Sequence, residues 1–347
     1  MILLQAPVLN TVDDARKMLQ TAIGVEFGTL PPYLYSLYSI KPGMNPKAQA
    51  LIKSVALQEM IHMCLACNML NALGGAPQIN PQPYPGPLPG DIGPDGVQLT
   101  LHLYPFTKEA MQQAMEIESP ENPPDFPVRM LASAEETPKA VTIGQFYRAL
   151  DQFLSTLPAS DWTPGRNQIE DNQFFAGQLF AINGYADAHQ AIDEIVSEGE
   201  GSTQGTEPDP LDFQDQLAHY YRFGEIFNDK VLTRAHNPLG YQWGPEKLGV
   251  DWAGAWPAIT DPALHDFSKD PPDAQRAQEA CNAAFTSMVD ELRLAVTGTA
   301  GALGDAVRAM FDLRMAALHA FATPLADGKQ TAGPAFLYQS PKAGGKS

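Results

Sequence analysis

Apolar positions recur at helical spacing along most of the chain, and the first 75 residues predict two long helices. Thr11, followed by Asp13 and Asp14, puts a side-chain oxygen and negative charge where a helix N-terminus favours them. The apolar run then reaches Ile40, interrupted by Pro31-Pro32, a pair that predicts a kink or an end to regular hydrogen bonding. Asn45-Pro46 reads as the cap and first-turn proline of a second helix that stops at Gly74-Gly75. The short link between the two predicts an antiparallel hairpin. Residues 76–98 form a Pro/Gly-rich loop, and VQLTLHLY (Val97–Tyr104) alternates as a strand does. Further helices are predicted over Thr107–Glu118, Thr142–Leu157, Tyr185–Glu198, Leu211–Lys230, Asp273–Val296 and Gly301–Ala322. The stretches SPENPPDFP and GEGSTQGTEPDP interrupt the series. Residues 231–270 are irregular and hold Trp243, Trp252 and Trp256. The pattern is that of a mostly helical protein with long loops. It divides into residues 1–230 and a C-terminal part, 231–347, expected to pack on the first as an irregular excursion plus a helical hairpin.

Composition narrows the function. With 44% hydrophobic residues among 347, the chain buries a substantial core. Its formal charge of -18 gives a surface that repels phosphate backbones and anionic lipids, arguing against nucleic-acid or membrane partners. Three cysteines are too few for a disulfide framework and point to a reducing compartment. The start, MILLQAPVLNTVDDARK, lacks the basic n-region of a signal peptide, and no run of about 18 uncharged apolar residues appears. The expectation is a cytoplasmic protein.

Against this background some polar residues are out of place. SVALQEMIHMCLACNML (Ser54–Leu70) is apolar around nearly its whole helical circumference, yet Glu59 and His62 sit in its middle, about 60° apart on one face. A buried, unpaired carboxylate costs several kcal/mol, so something must compensate it. Glu-x-x-His facing a bundle core is the ligand pair of helical di-metal sites, which also take a lone Glu from another helix. Glu26, the one charged residue between Lys17 and Lys41, fits that second role. A structural hydrogen-bonded pair is the alternative reading of Glu59 and His62. For the other half of such a site, Glu194, Glu198 and Glu200 compete, with Asp193 beside them. In LAHYYRFGEIF, His219, Tyr220 and Glu225 follow. A second clean Glu-x-x-His is missing, because Gln216 stands three residues before His219. Either Glu200 and His219 build the second half or the site is asymmetric. Cys64 and Cys67 on the same apolar helix read as buried thiols rather than a redox pair. Tyr33, two turns beyond Glu26 on the same face, is a candidate for radical or proton chemistry, with core packing as its plainer role.

The segments EFGTLPPYLYSLYSIKPG, LQEMIHMCLACNMLNALGG, TIGQFYRAL, AIDEIVSEGEG and HYYRFGEI, in this order over roughly residues 10–230, resemble the ferritin-like iminophenyl-pyruvate dimer synthase domain. That domain also occurs in the imine-coupling enzymes of violacein and rebeccamycin-type pathways, and the terminal TAGPAFLYQSP is similar too. The resemblance implies a ferritin-like bundle, and with the residue pattern the expectation is an all-α fold with a minor β element near 97–104 and extra C-terminal helices. It implies iron, as a dinuclear pair, held by Glu26, Glu59 and His62 with Glu200 and His219; haem stays open. It implies oxidation of a small amino-acid-derived or aromatic substrate, with imine coupling as one reaction and a partner amino-acid oxidase to supply the imine. Gln145 departs from the family pattern, where a Glu is expected, and puts a ligand there in doubt. A homo-oligomer is compatible with all of this. The rival class is a non-catalytic ferritin-like scaffold that binds a metal or small ligand.

Overall fold

The computed structural model describes residues 2–120, 140–171, 173–175, 177–204, 207–236 and 240–340. Eight helices carry the described fold: α1 (Val12–Ser39), α2 (Pro46–Ala72), α3 (Lys108–Ile117), α4 (Ile143–Leu154), α5 (Tyr185–Glu200), α6 (His219–Asn228), α7 (Pro272–Val296) and α8 (Ala302–Ala322). The strands are short antiparallel pairs, Leu4–Gln5 with Ala140–Val141, Gly86–Pro87 with Thr100–Leu101, Ser202–Gln204 with Glu207–Asp209, and Leu232–Arg234 with Tyr241–Trp243. The fold is mostly helical, as the sequence pattern predicts. The strand expected over 97–104 shrinks to Thr100–Leu101. Of the interrupting stretch SPENPPDFP, the part from residue 121 on lies outside the described residues.

The antiparallel α1/α2 hairpin is the centre. α3 and α4 pack on α1, α5 and α6 on α2, and the α7/α8 hairpin lies against α1 and α2 from another side. The main apolar core runs from Ile2 to Phe336 and takes in Phe285 of α7 and Leu313 of α8. The Trp-bearing excursion joins it closely: a Cβ at Gly224 of α6 would lie 2.5 Å from the Trp243 ring, so only glycine permits that packing. α2 is long and apolar enough to span a membrane by length and composition. Eighteen of its residues are buried, so the bundle accounts for its apolar circumference.

Three local expectations take a definite form in the structure. α1 runs through Pro31-Pro32 without ending. Pro32 has no N–H for the Gly28 carbonyl four residues back. Tyr84 supplies the donor instead, its hydroxyl reaching Gly28 O at 2.7 Å. The loop bearing Tyr84 comes this close because residue 28 is glycine; a Cβ there would lie 3.0 Å from Pro89 Cδ. Tyr84→Phe should therefore orphan a buried carbonyl and destabilise the fold by about 1–3 kcal/mol. Urea unfolding would read it, and an unchanged midpoint would disprove the repair. Second, Asn45 is the N-cap of α2 but makes no side-chain cap. Its amide clasps the Asp251 backbone, donating to the carbonyl at 2.8 Å and accepting from the N–H at 2.7 Å. Third, α6 starts at His219, not near Leu211. The Asp212 carboxylate accepts from the N–H groups of Gln214 and Gln216, each at 2.8 Å, and holds that stretch in a turn. Gln216 and His219 therefore do not share a helix.

Candidate metal centre

Six side chains from five helices converge between α1 and α2: Glu26 (α1), Glu59 and His62 (α2), Glu118 (C-cap of α3), Glu198 (α5) and His219 (α6). Their exposure runs from 0% for His219 to 9% for Glu118. The helical period does the placing. Glu118 continues the apolar stripe of Met111 and Met115, and Glu198 that of Ala188, Ala191 and Ile195, so the same pattern that buries these residues buries the carboxylates.

Two overlapping groups have ligand atoms all within 4.8 Å of one another: Glu26, Glu59 and His62, and Glu59, Glu118 and His219. Glu59 belongs to both. His219 Nδ1 lies 2.8 Å from Glu59 Oε1 and 3.4 Å from Glu118 Oε2, and His62 Nδ1 lies 3.7 Å from Glu59 Oε1. The two imidazoles stack with centroids 5.6 Å apart. Each outer carboxylate receives a buried phenol. Tyr147 donates to Glu26 Oε1 at 2.6 Å, and Tyr33 donates to Glu118 Oε1. Thr29 donates to Glu59 Oε2 at 3.2 Å.

A second layer holds the imidazoles. His62 Nε2 meets Glu198 Oε2 at 2.7 Å, and His219 Nε2 meets Gln58 Oε1 at 3.1 Å. The Gln58 oxygen also accepts from Arg222 Nη1 at 2.6 Å, and its amide bonds Glu198. This fixes both Nε2 atoms as donors. A guanidinium only donates, so the Gln58 atom facing it is the carbonyl oxygen and His219 Nε2 must donate to that oxygen. Burial alone would raise the Glu198 carboxyl, but the hydrogen bond and charge of His62, joined by His219, take it below the usual range. It is an ionised acceptor, so His62 Nε2 also donates. Both Nδ1 atoms therefore turn toward the carboxylates, and this second-layer support is the arrangement that metal-binding histidines use.

That arrangement demands a cation. His219 Nδ1 is a buried nitrogen with no hydrogen-bond partner, and a carboxylate oxygen stands 2.8 Å away. Two lone pairs repel at that distance, so a proton or a metal ion must lie between them. Burial first, then the charge of Glu59, pushes the Glu26 carboxyl well above its usual range; for Glu59 it is burial, then Glu118. Asp212, 3.9 Å from Arg222 Nη2, offsets that guanidinium. Glu26, Glu59, Glu118 and Glu198 then remain, a charge that two divalent cations would balance. Carboxylates with imidazole suit Fe, Mn and Zn, so the donors fit the implied metal pair.

The sequence-nominated Glu26, Glu59, His62 and His219 are thus brought together, with Tyr33 touching Glu118. The side chain of Glu200 lies outside the described residues; the α5 carboxylate that reaches the cluster is Glu198. Glu225 faces elsewhere, accepting from the Leu232 N–H at 2.8 Å. Gln145 completes a capping box with Thr142 at the start of α4. Its helix contributes Tyr147 to the centre instead. Glu118 and Tyr147 escaped the sequence reading, although Glu118 on a Met/Ala stripe is the same anomaly that marks Glu59. Cys64 and Cys67 are buried and free; burial pushes the Cys64 thiol up to about 12, which leaves it protonated and inert.

No curated protein matches the chain. A solved ferritin like protein from Caulobacter vibrioides is 23% identical, with a TM-score of 0.61 over 96% of this chain and 100% of that one. The Ferritin-like family model matches residues 19–228, which hold all six convergent side chains. By that match over more than half its length, the chain belongs to the ferritin-like family.

Proposed function

We propose that the protein is a metal-dependent oxidoreductase whose resident cofactor is a dinuclear iron pair. The observation that supports this most directly is the sharing of Glu59 by two buried three-ligand groups. Glu26, Glu59 and His62 would hold one ion, and Glu59, Glu118 and His219 the other. When bound, iron would supply electrons to an oxidant such as dioxygen or peroxide. The chain's own residues do the rest. The Tyr147 and Tyr33 hydroxyls each donate a hydrogen bond to an outer carboxylate oxygen and so orient it. Glu198 and Gln58 keep both Nδ1 atoms aimed inward, and the apolar helix faces exclude bulk water.

The resemblance to iminophenyl-pyruvate dimer synthase domains supports a small amino-acid-derived or aromatic substrate, with oxidative imine coupling as the specific reaction. An amino-acid oxidase would then act beforehand and supply the unstable imine. A second reading, a metal-binding scaffold without turnover, is favoured by the burial of every donor, because closed sites are the structural ones. Elemental analysis of protein purified without an affinity tag tests the metal, with an expected content of about two irons per chain. No stoichiometric metal after anaerobic Fe(II) reconstitution would rule out both readings. Loaded protein that turns over no imine or aromatic substrate would leave the scaffold.

A further inference from the structure

Between the α1/α2 hairpin and α7/α8 lies a chamber whose wall is apolar throughout, including Leu30, Met60, Met63, Phe285 and Met288. Leu30 is one turn from Glu26, and Met63 adjoins His62, so this wall and the metal cluster share two helices. A void of about 30 Å³ remains inside. Phe336, fully buried, is part of the lining and packs edge-on to Phe285 at 5.5 Å. Phe336 sits at φ 49, in the left-handed region that a bulky residue rarely occupies. The backbone is strained to put that ring there.

Phe336 belongs to the TAGPAFLYQSP segment, whose family likeness the metal site leaves unexplained. This segment lies along α7 and is held by a ladder of side chains. Gln278 accepts from the Ala335 N–H at 3.1 Å, Asn282 from Leu337 at 3.1 Å and Thr286 from Gln339 at 2.9 Å. Tyr338 adds a bond from its hydroxyl to Asp290 at 2.8 Å. The rungs step by four residues, one helical turn, along α7 and by two along the segment. The rungs from Gln278, Asn282 and Thr286 grip backbone, and water can replace each of them when the segment lifts away.

We propose that Phe336 is a displaceable plug, and that the chamber behind it binds an uncharged aromatic molecule whose ring takes the place of the Phe336 ring, lifting residues 333–339 from α7. Methionines at 60, 63 and 288 give the wall the adaptability such an exchange requires. The site needs no metal, so it is tested on the metal-free full-length chain, and its failure would leave the metal reading standing. N-phenyl-1-naphthylamine, an uncharged fluorescent probe, should bind saturably at one site per chain. Hydrogen exchange at the Ala335, Leu337 and Gln339 amides should accelerate as it binds. Phe336→Ala should tighten binding by roughly 10–100-fold by removing the cost of opening a plug that is rarely open. Phe336→Leu serves if the alanine variant does not fold. Met288→Trp, which fills the chamber from α7, should weaken binding by about tenfold or more. Absence of saturable binding to wild type, binding that leaves the three amides protected, or indifference to Met288→Trp would each overturn the proposal.

Discussion

Glu59→Gln should cost the protein both metal ions at once. The variant keeps the shape of the side chain and the Thr29 hydrogen bond, but its amide cannot serve as an anionic ligand shared by two groups. Even second-layer changes weaken metal binding 10–100-fold, so loss of a shared ligand should exceed ~10²-fold at both positions. Glu118→Gln is the internal control. It touches one group alone and should leave roughly one ion per chain, held by Glu26, Glu59 and His62. Far-UV circular dichroism should stay unchanged for both variants, because neutralising a crowded buried carboxylate removes repulsion rather than packing. Metal titration of the two apo variants, read by calorimetry, separates them. If Glu59→Gln retained one ion with wild-type affinity, the shared-ligand assignment would be wrong and the two groups would be independent.

Why Glu26, Glu59, His62 and His219 were legible in the sequence, while Glu118 was missed and Glu198 left among competitors, has a physical answer. Glu26, Glu59 and His62 stand in long helices that are apolar on every side, so a charge there is an anomaly whatever surrounds it. Glu118 and Glu198 belong to shorter amphipathic helices that also carry exposed or half-buried acids, Glu109 and Glu116 on α3 and Asp187, Asp193 and Glu194 on α5. There only the stripe phase separates a buried carboxylate from a solvated one, and that phase is set by packing partners distant in sequence. The passage of α1 through two prolines was hidden for a related reason, since its repair comes from Tyr84, 56 residues beyond the carbonyl it satisfies. The second layer was hidden most completely. Gln58 and Arg222 are ordinary helical residues in sequence, and their roles exist only because α2 and α6 meet.

The metal-free protein should lose stability as pH rises from about 5 to 8. Glu26 and Glu59 are raised above their usual values, by burial first, with Glu59 adding to Glu26 and Glu118 to Glu59. A carboxyl whose folded pKa lies above its unfolded one holds its proton more tightly when folded. Its contribution is complete below the unfolded value, near 4.3, and fades as pH climbs toward the raised one. Each group then costs up to about 1.4 kcal/mol per pH unit across that window. Glu198 runs the other way. Being lowered, it stabilises above its unfolded value and loses that contribution only as pH falls below it, under the window in question. Metal reverses the slope, since ligands must shed their protons to bind and the folded chain binds far better than the unfolded one. The gap in Tm between metal-loaded and chelator-treated protein should therefore widen from pH 5 to pH 8. In Glu59→Gln the apo slope should flatten and the gap should vanish. A chelator-treated wild type that melts higher at pH 8 than at pH 5 would show that the cluster is not held by shared protons, and that a cation other than the proton already balances those four carboxylates.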